Sequence, residues 1–196
     1  MRRRVELLGR FLMVELASII LKTRDLLNLR SYHVHELLEY EDNYAMYPVK
    51  HTKAGNIKSL VWIFKEPRVV GVAIVKDLVK RMEETASHEG MIVGGMRFTP
   101  AAKKLAVETG VELVEGTYAS FELFSHELVP PHSIADEVEV NLLLDHYGIT
   151  RDEIPRILRS DPAARVLGAR PGQVIRIERE SETAGSVYYY RLVVSS

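Results

Sequence analysis

The chain has 196 residues, 46% of them hydrophobic and 27% charged, and its formal net charge is −1. That apolar content supports a folded core in one domain or two small ones and excludes a disordered chain. The absence of cysteine excludes disulfides, thiolate metal sites and a cysteine nucleophile and suits a reducing interior, while near-zero charge leaves nucleic-acid contact to local patches.

The opening MRRRVELLGRFLMVELASIIL sets arginines ahead of an apolar run, as a signal peptide does. Arg10 and Glu15 interrupt the run, no small-residue cleavage site follows, and the longest apolar piece is far short of a membrane span. Val5, Leu8, Leu12, Leu16 and Ile19 recur at helical spacing, which predicts an amphipathic helix on a core. Thr23 to Gly55 mixes aromatic and acidic residues around YEDNYAMYP and supports only a short helix near Val34 to Tyr40. His33 and His35 lack a third ligand at zinc-site spacing, so they read as ordinary strand or loop histidines. Glu39, Glu41 and Asp42 read as a solvated face.

Ser59 to Phe64 (SLVWIF) is a continuous β-prone run, expected to be a central strand covered on both faces. Val75, Leu78, Val79, Met82 and Ala86 then lie on one helical stripe that should run from Gly71 to near Gly90. Met91 to Val93 predicts a second strand. Thr99 caps a helix with Pro100 at its first position, Gly110 ends that helix, and Val111 to Val114 predicts a third strand. Helix and strand alternating in this order predict an α/β unit with parallel pairing. Gly94-Gly95 before the Thr99 helix could form an anion-binding loop, but no Walker lysine follows and a tight strand exit explains the pair equally well. No Ser-His-Asp or Cys-His constellation is legible.

From Ser160 the local signals agree closely. Asp161-Pro162 reads as an N-cap with proline at N1, opening a short helix from Pro162 to Leu167 that Gly168 terminates. Pro171-Gly172 predicts a type II turn, followed by a strand through Val174, Ile175 and Ile177 and a second strand over Val187 to Val194. Thr183-Ala184-Gly185-Ser186 between them predicts an antiparallel hairpin.

The words SDP, PGQVIRI, SETAG and YRLV, with HELVPPH (His126 to His132) and YGITRDEIPRI (Tyr147 to Ile157), resemble the C-terminal domain of the fifth-subunit family of cellular RNA polymerases, archaeal and eukaryotic. GMIVGGMRFTPAAKKLAVETGVELVEG resembles both the Mrr-like branch of restriction-endonuclease-like domains and the N-terminal jaw of the eukaryotic fifth subunit. These resemblances imply an α/β chain of two domains. Residues 1–124 would form a restriction-endonuclease-like jaw, and residues 125–196 a small α+β assembly domain with an antiparallel hairpin, with a hinge around HELVPPH. Archaeal members usually consist of the C-terminal domain alone, whereas this chain carries the jaw as eukaryotic members do. Its LGARPGQVIRI wording is archaeal-like, which implies a cytoplasmic, nucleoid-associated protein; a eukaryotic source would place it in the nucleus.

A nuclease of the jaw's fold needs an acid two residues before its lysine to hold Mg²⁺. The residue two before Lys65 is Ile63, and HTKAGNIKS upstream has no acid. The resemblance therefore implies a non-catalytic subunit of DNA-directed RNA polymerase, with no catalytic residue, metal or cofactor of its own. The rival is an Mrr-like metal-dependent endonuclease fused to a polymerase-derived module. The implied partners are the largest polymerase subunit, neighbouring small subunits and, weakly, downstream duplex DNA, with no membrane and no small-molecule substrate. Arg97, Thr99, Pro100, Lys103 and Lys104 form the expected DNA-proximal edge, where cations and a helix N-terminus can meet phosphates. The expected assembly residues are His126, Pro130, His132, Pro155, Asp161, Pro162, Gly168, Gly172, Arg179, Thr183, Gly185, Tyr189 and Arg191.

Overall fold

In the computed structural model, which describes residues 2–66, 68–95, 97–115, 123–124, 126–181 and 185–195, the opening stretch forms helix α1, Arg2–Leu29. It continues past Ile19 because Thr23, Leu26, Leu27 and Arg30 keep helical spacing and are all buried. The Thr23 hydroxyl donates to the Ile19 carbonyl at 2.7 Å, which satisfies it inside that face. No helix among the described residues is long and apolar enough to cross a membrane. The chain gathers into two compact units, Met1–Tyr118 and Ala119–Ser196.

The first unit is built on a five-stranded sheet of β1 (His33–Glu39), β2 (Asn43–Thr52), β3 (Gly55–Phe64), β5 (Glu89–Gly95) and β7 (Val111–Glu115), in that spatial order. The β1–β2–β3 pairings are antiparallel and the β3–β5–β7 pairings parallel, the latter as the alternating helix and strand pattern predicts. β3 is the middle strand. Leu60 and Phe64 join Val75, Leu78 and Met82 of α2 (Val72–Glu84) and Ala102 and Ala106 of α3 (Pro100–Thr109) in one core. Val61 and Ile63, on the opposite face of the strand, are fully buried too, so the run is covered on both sides. Two short strands, β4 (Val69–Val70) and β6 (Arg97–Phe98), form a separate parallel pair.

Three expectations for this unit are corrected. The segment from Val34 to Tyr40 is not helical but forms β1. The β1–β2 register slips between Val34 and Leu37, which pair with Pro48 and Met46. This bulge inserts one residue, and the three-residue spacing it creates between inward side chains imitates helical periodicity. Helix α2 ends at Glu84 with Thr85 as its cap, well before Gly90. Gly90 instead lies in β5, where a Cβ would approach the Met82 sulfur to 2.4 Å, so the glycine lets helix and strand pack closely. Gly94 (φ 96°) and Gly95 also belong to β5, at a register shift against β7, and β6 intervenes before α3. The pair is therefore a strand irregularity and does not lead into a helix N-terminus.

The second unit carries a four-stranded sheet ordered β8 (His132–Ile134), β10 (Val174–Ser181), β11 (Gly185–Val194) and β9 (Arg156–Leu158). β10 and β11 form the expected antiparallel hairpin; Thr183 and Ala184 of its turn lie outside the described residues. One face packs Ile175, Ile177 and Val193 against Ala164 and Leu167 around α5 (Pro162–Val166). The other packs Val174 and Leu192 against Val140 of α4 (Glu137–Tyr147) and Ile154. Alternation along the hairpin thus feeds two small cores. Gly172 takes φ 88° and the Gln173 amide donates to the Arg170 carbonyl at 3.1 Å, as a type II turn at Pro171-Gly172 requires.

Candidate assembly and nucleic-acid surfaces

At the expected DNA edge, the Thr99 hydroxyl accepts the Ala102 amide at 3.2 Å and Pro100 occupies the first helical turn of α3. Arg97 on β6 and Lys103 and Lys104 on α3 are exposed, and no ion pair of theirs is found among the described residues. The edge therefore presents cations beside the positive end of a ten-residue helix. Gly110, at φ 71°, closes that helix as expected.

The region that would hold a nuclease's metal is arranged differently. Ile63 is fully buried in the sheet and cannot offer a ligand. The Lys65 ammonium is bound by Glu39 at 2.8 Å and lies 5.1 Å from the centre of the Tyr44 ring. Lys65 in turn holds the Glu39 carboxyl below its ordinary value. Asp42 pairs with Arg68 at 3.2 Å. Glu39, Glu41 and Asp42 are all exposed, in keeping with a solvated face, and Glu39 and Asp42 hold surface ion pairs at the strand ends. His33 and His51 bring their rings to 5.8 Å, yet no group of three metal-ligating side chains occurs among the described residues.

In the second unit several motif residues turn out to shape the backbone. Asp161 accepts the Ala163 amide at 2.8 Å, Pro162 starts α5, and Gly168 (φ 63°) and Gly185 (φ 68°) adopt left-handed conformations. His132 bonds the Pro130 carbonyl through Nδ1 at 2.6 Å and stacks on Phe124. His126 accepts the Leu128 amide at 3.2 Å. Pro155, Arg179, Tyr189 and Arg191 are exposed, and the Arg179 guanidinium sits 5.2 Å from the Tyr189 ring centre. Thr183 lies outside the described residues.

Sequence reasoning missed a polar cluster on the α4 side of the sheet. Glu139 accepts from Arg176 at 3.1 Å and from the Tyr190 hydroxyl at 3.0 Å. Burial, followed by the bond to Glu139, pushes the Tyr190 hydroxyl up to about 12. Arg151, in the YGITRDEIPRI motif, donates to the Gly172 carbonyl at 2.9 Å and pairs with Glu137, which ties that motif to the PGQ turn.

A family model described as the C-terminal domain of RNA polymerase Rpb5 matches residues 121–193. A protein of Thermococcus celer named DNA-directed RNA polymerase subunit Rpo5 is 53% identical over 78 residues, covering 40% of this chain and 95% of its own length. A Caenorhabditis elegans protein named DNA-directed RNA polymerases I, II, and III subunit RPABC1 is 36% identical over 135 residues, covering 67% of this chain and 64% of its own. With nearly the whole archaeal protein aligned at this identity, the chain belongs to the fifth-subunit family of cellular DNA-directed RNA polymerases.

Proposed function

We propose that the chain acts as a non-catalytic subunit of DNA-directed RNA polymerase. Residues 125–196 serve as its assembly domain and dock on the largest subunit, with small subunits alongside. Residues 1–124 serve as a jaw whose Thr99 edge supports downstream duplex DNA. The carrying observation is the match of residues 121–193, within the second unit, to the Rpb5 C-terminal domain model, beside a 78-residue alignment with almost the full length of an archaeal polymerase subunit. The nematode alignment is longer than that unit and so reaches into the first. The mixed sheet, with the Phe98-Thr99-Pro100 turn leading through α3 into β7, supports a restriction-endonuclease-like jaw. The burial of Ile63 and the Lys65–Glu39 pair speak against metal-dependent cleavage. A subunit of this kind works where the genome is, in the cytoplasm of an archaeon or the nucleus of a eukaryote.

The test is purification of polymerase through an affinity tag on the full chain expressed in its own cell. The largest subunit should co-purify in equal amount, with promoter-dependent transcription activity. Recovery of the tagged chain without the largest subunit would overturn the reading.

A further inference from the structure

The second unit's sheet has an edge that is left open by Pro131 and by the turning away of Val129. β8 pairs with β10 from Ile134↔Ile175 to His132↔Ile177, and the same register brings Pro131 opposite Glu178 and Val129 opposite Glu180. The Glu178 amide still donates to the Pro131 carbonyl at 3.0 Å. Pro131 has no amide hydrogen to return to Glu178. Two residues on, the Val129 amide is turned into its own loop and donates to the His126 carbonyl at 2.9 Å. Backbone groups of alternate strand residues point the same way, so the amide and carbonyl of Glu180 face this side as those of Glu178 do. Among the described residues they have no ladder partner there, while β10 remains paired with β11 out to Ser181↔Gly185 on its other side.

A cleft of about 610 Å³ lies along this edge, lined by Glu127, Leu128, Pro130, Glu178, Arg179 and Glu180 among others. Arg179 directs its guanidinium onto the Tyr189 ring. No ion pair of Glu127, Glu178 or Glu180 is found among the described residues, so the cleft is acidic. Leu128, 84% exposed, adds an apolar contact at its rim.

We propose that this cleft takes an extended, basic polypeptide segment of a partner, which adds as a strand to the open end of β10. Backbone bonds to the amide and carbonyl of Glu180 supply the pairing, and lysine or arginine side chains meeting the glutamates supply the selection. The segment belongs to a neighbouring polymerase subunit, an attribution that rests on the function proposed above.

The test uses the full chain and a fluorescein-labelled hexapeptide of alternating lysine and valine, read by anisotropy. Two further probes are an alternating glutamate and valine peptide and a lysine and valine peptide N-methylated at alternate backbone nitrogens. The lysine peptide should bind saturably. Both other probes should bind about tenfold more weakly or worse, the loss expected from one or two missing hydrogen bonds or an unfavourable charge. Glu180→Pro removes the outward amide without touching the β11 ladder and should weaken binding about tenfold, whereas Glu180→Gln keeps the amide and should cost only about threefold. The Glu178→Lys, Glu180→Lys double variant should abolish binding and keeps the proposal testable if the proline variant does not fold. Absence of binding by the lysine peptide, equal binding of either other probe, or equal binding by the double variant overturns the proposal. Incorporation of the unaltered chain into polymerase is a separate measurement, so the subunit reading stands or falls independently.

Discussion

Gly90→Ala should loosen the first unit through one helix–strand contact. Gly90 lies in β5 between Leu60 of β3 and Val111 of β7. An added Cβ would come within 2.4 Å of the Met82 sulfur, 3.3 Å of its methyl and 3.1 Å of a Leu78 methyl. Leu78 is fully buried and Met82 nearly so, so the thioether has to swing within an already filled core. Overpacking of this kind costs about 1–3 kcal/mol, and loss of glycine's freedom in the unfolded chain returns about 0.4–1 kcal/mol. The net expectation is a destabilisation of about 1–2 kcal/mol, or a urea midpoint lower by roughly 0.5–1 M. Trp62 is the chain's one tryptophan and packs on the same core, so its fluorescence reports this unit's unfolding. Met82→Ala removes the clashing atoms at its own cost of about 2–5 kcal/mol, and in that background Gly90→Ala should cost little or nothing. An unchanged midpoint for Gly90→Ala alone, or the same loss in both backgrounds, would refute the argument.

Asp161→Ala removes the N-cap of α5 and should cost the second unit about 1 kcal/mol, seen in amide exchange there with the Trp62 midpoint unchanged. The Glu153 carboxyl is held below its ordinary 4.5 by the Thr150 amide and then its hydroxyl. Because its folded value is depressed, its contribution is full above the unfolded value and is lost as pH falls through the folded one. The stability difference between wild type and Glu153→Gln should therefore shrink on acidification from about pH 6 to about pH 3, and a flat difference would count against it. Alanine at Arg97, Lys103 and Lys104 together, assembled into polymerase, should shorten open-complex lifetime. Neutralising about three phosphates corresponds to a salt slope near −2.7 and about a 40-fold loss between 50 and 200 mM salt. An unchanged lifetime and salt slope would return these residues to an ordinary solvated face.

Signals that act within a few residues are legible in the sequence. The Thr99 and Asp161 caps, the Gly110 and Gly168 terminators and the Pro171-Gly172 turn all stand where their chemistry places them. The central position of β3 is legible because burial on both faces leaves an uninterrupted apolar run. β1 is not, because its bulge replaces a two-residue period by a three-residue one. Gly90 misleads for a related reason: a glycine after an apolar helical stripe looks like a terminator when its role is to admit Met82 from that helix. β4, β6, β8 and β9 span two or three residues each, too few for any period to show.

The candidate assembly site divides along the same line. Asp161, Pro162, Gly168, Gly172 and Gly185 are committed to a cap, a first turn or a positive φ, and the domain needs them to fold whether or not a partner is present. A motif made of such residues marks a fold and cannot by itself mark the surface that docks. Arg179, Tyr189 and Arg191 are exposed, and no turn requires their side chains. Arg179 and Tyr189 stand diagonally across the hairpin, on the same face as Ile177, near the end of β10 that Pro131 and Val129 leave open. Substituting the first group should therefore lower stability and assembly together, while substituting the second should lower assembly at unchanged stability. Measuring urea midpoints and polymerase incorporation on the same variants separates the two, and a loss of stability from Tyr189→Ser as large as that from Gly168→Val would remove the distinction.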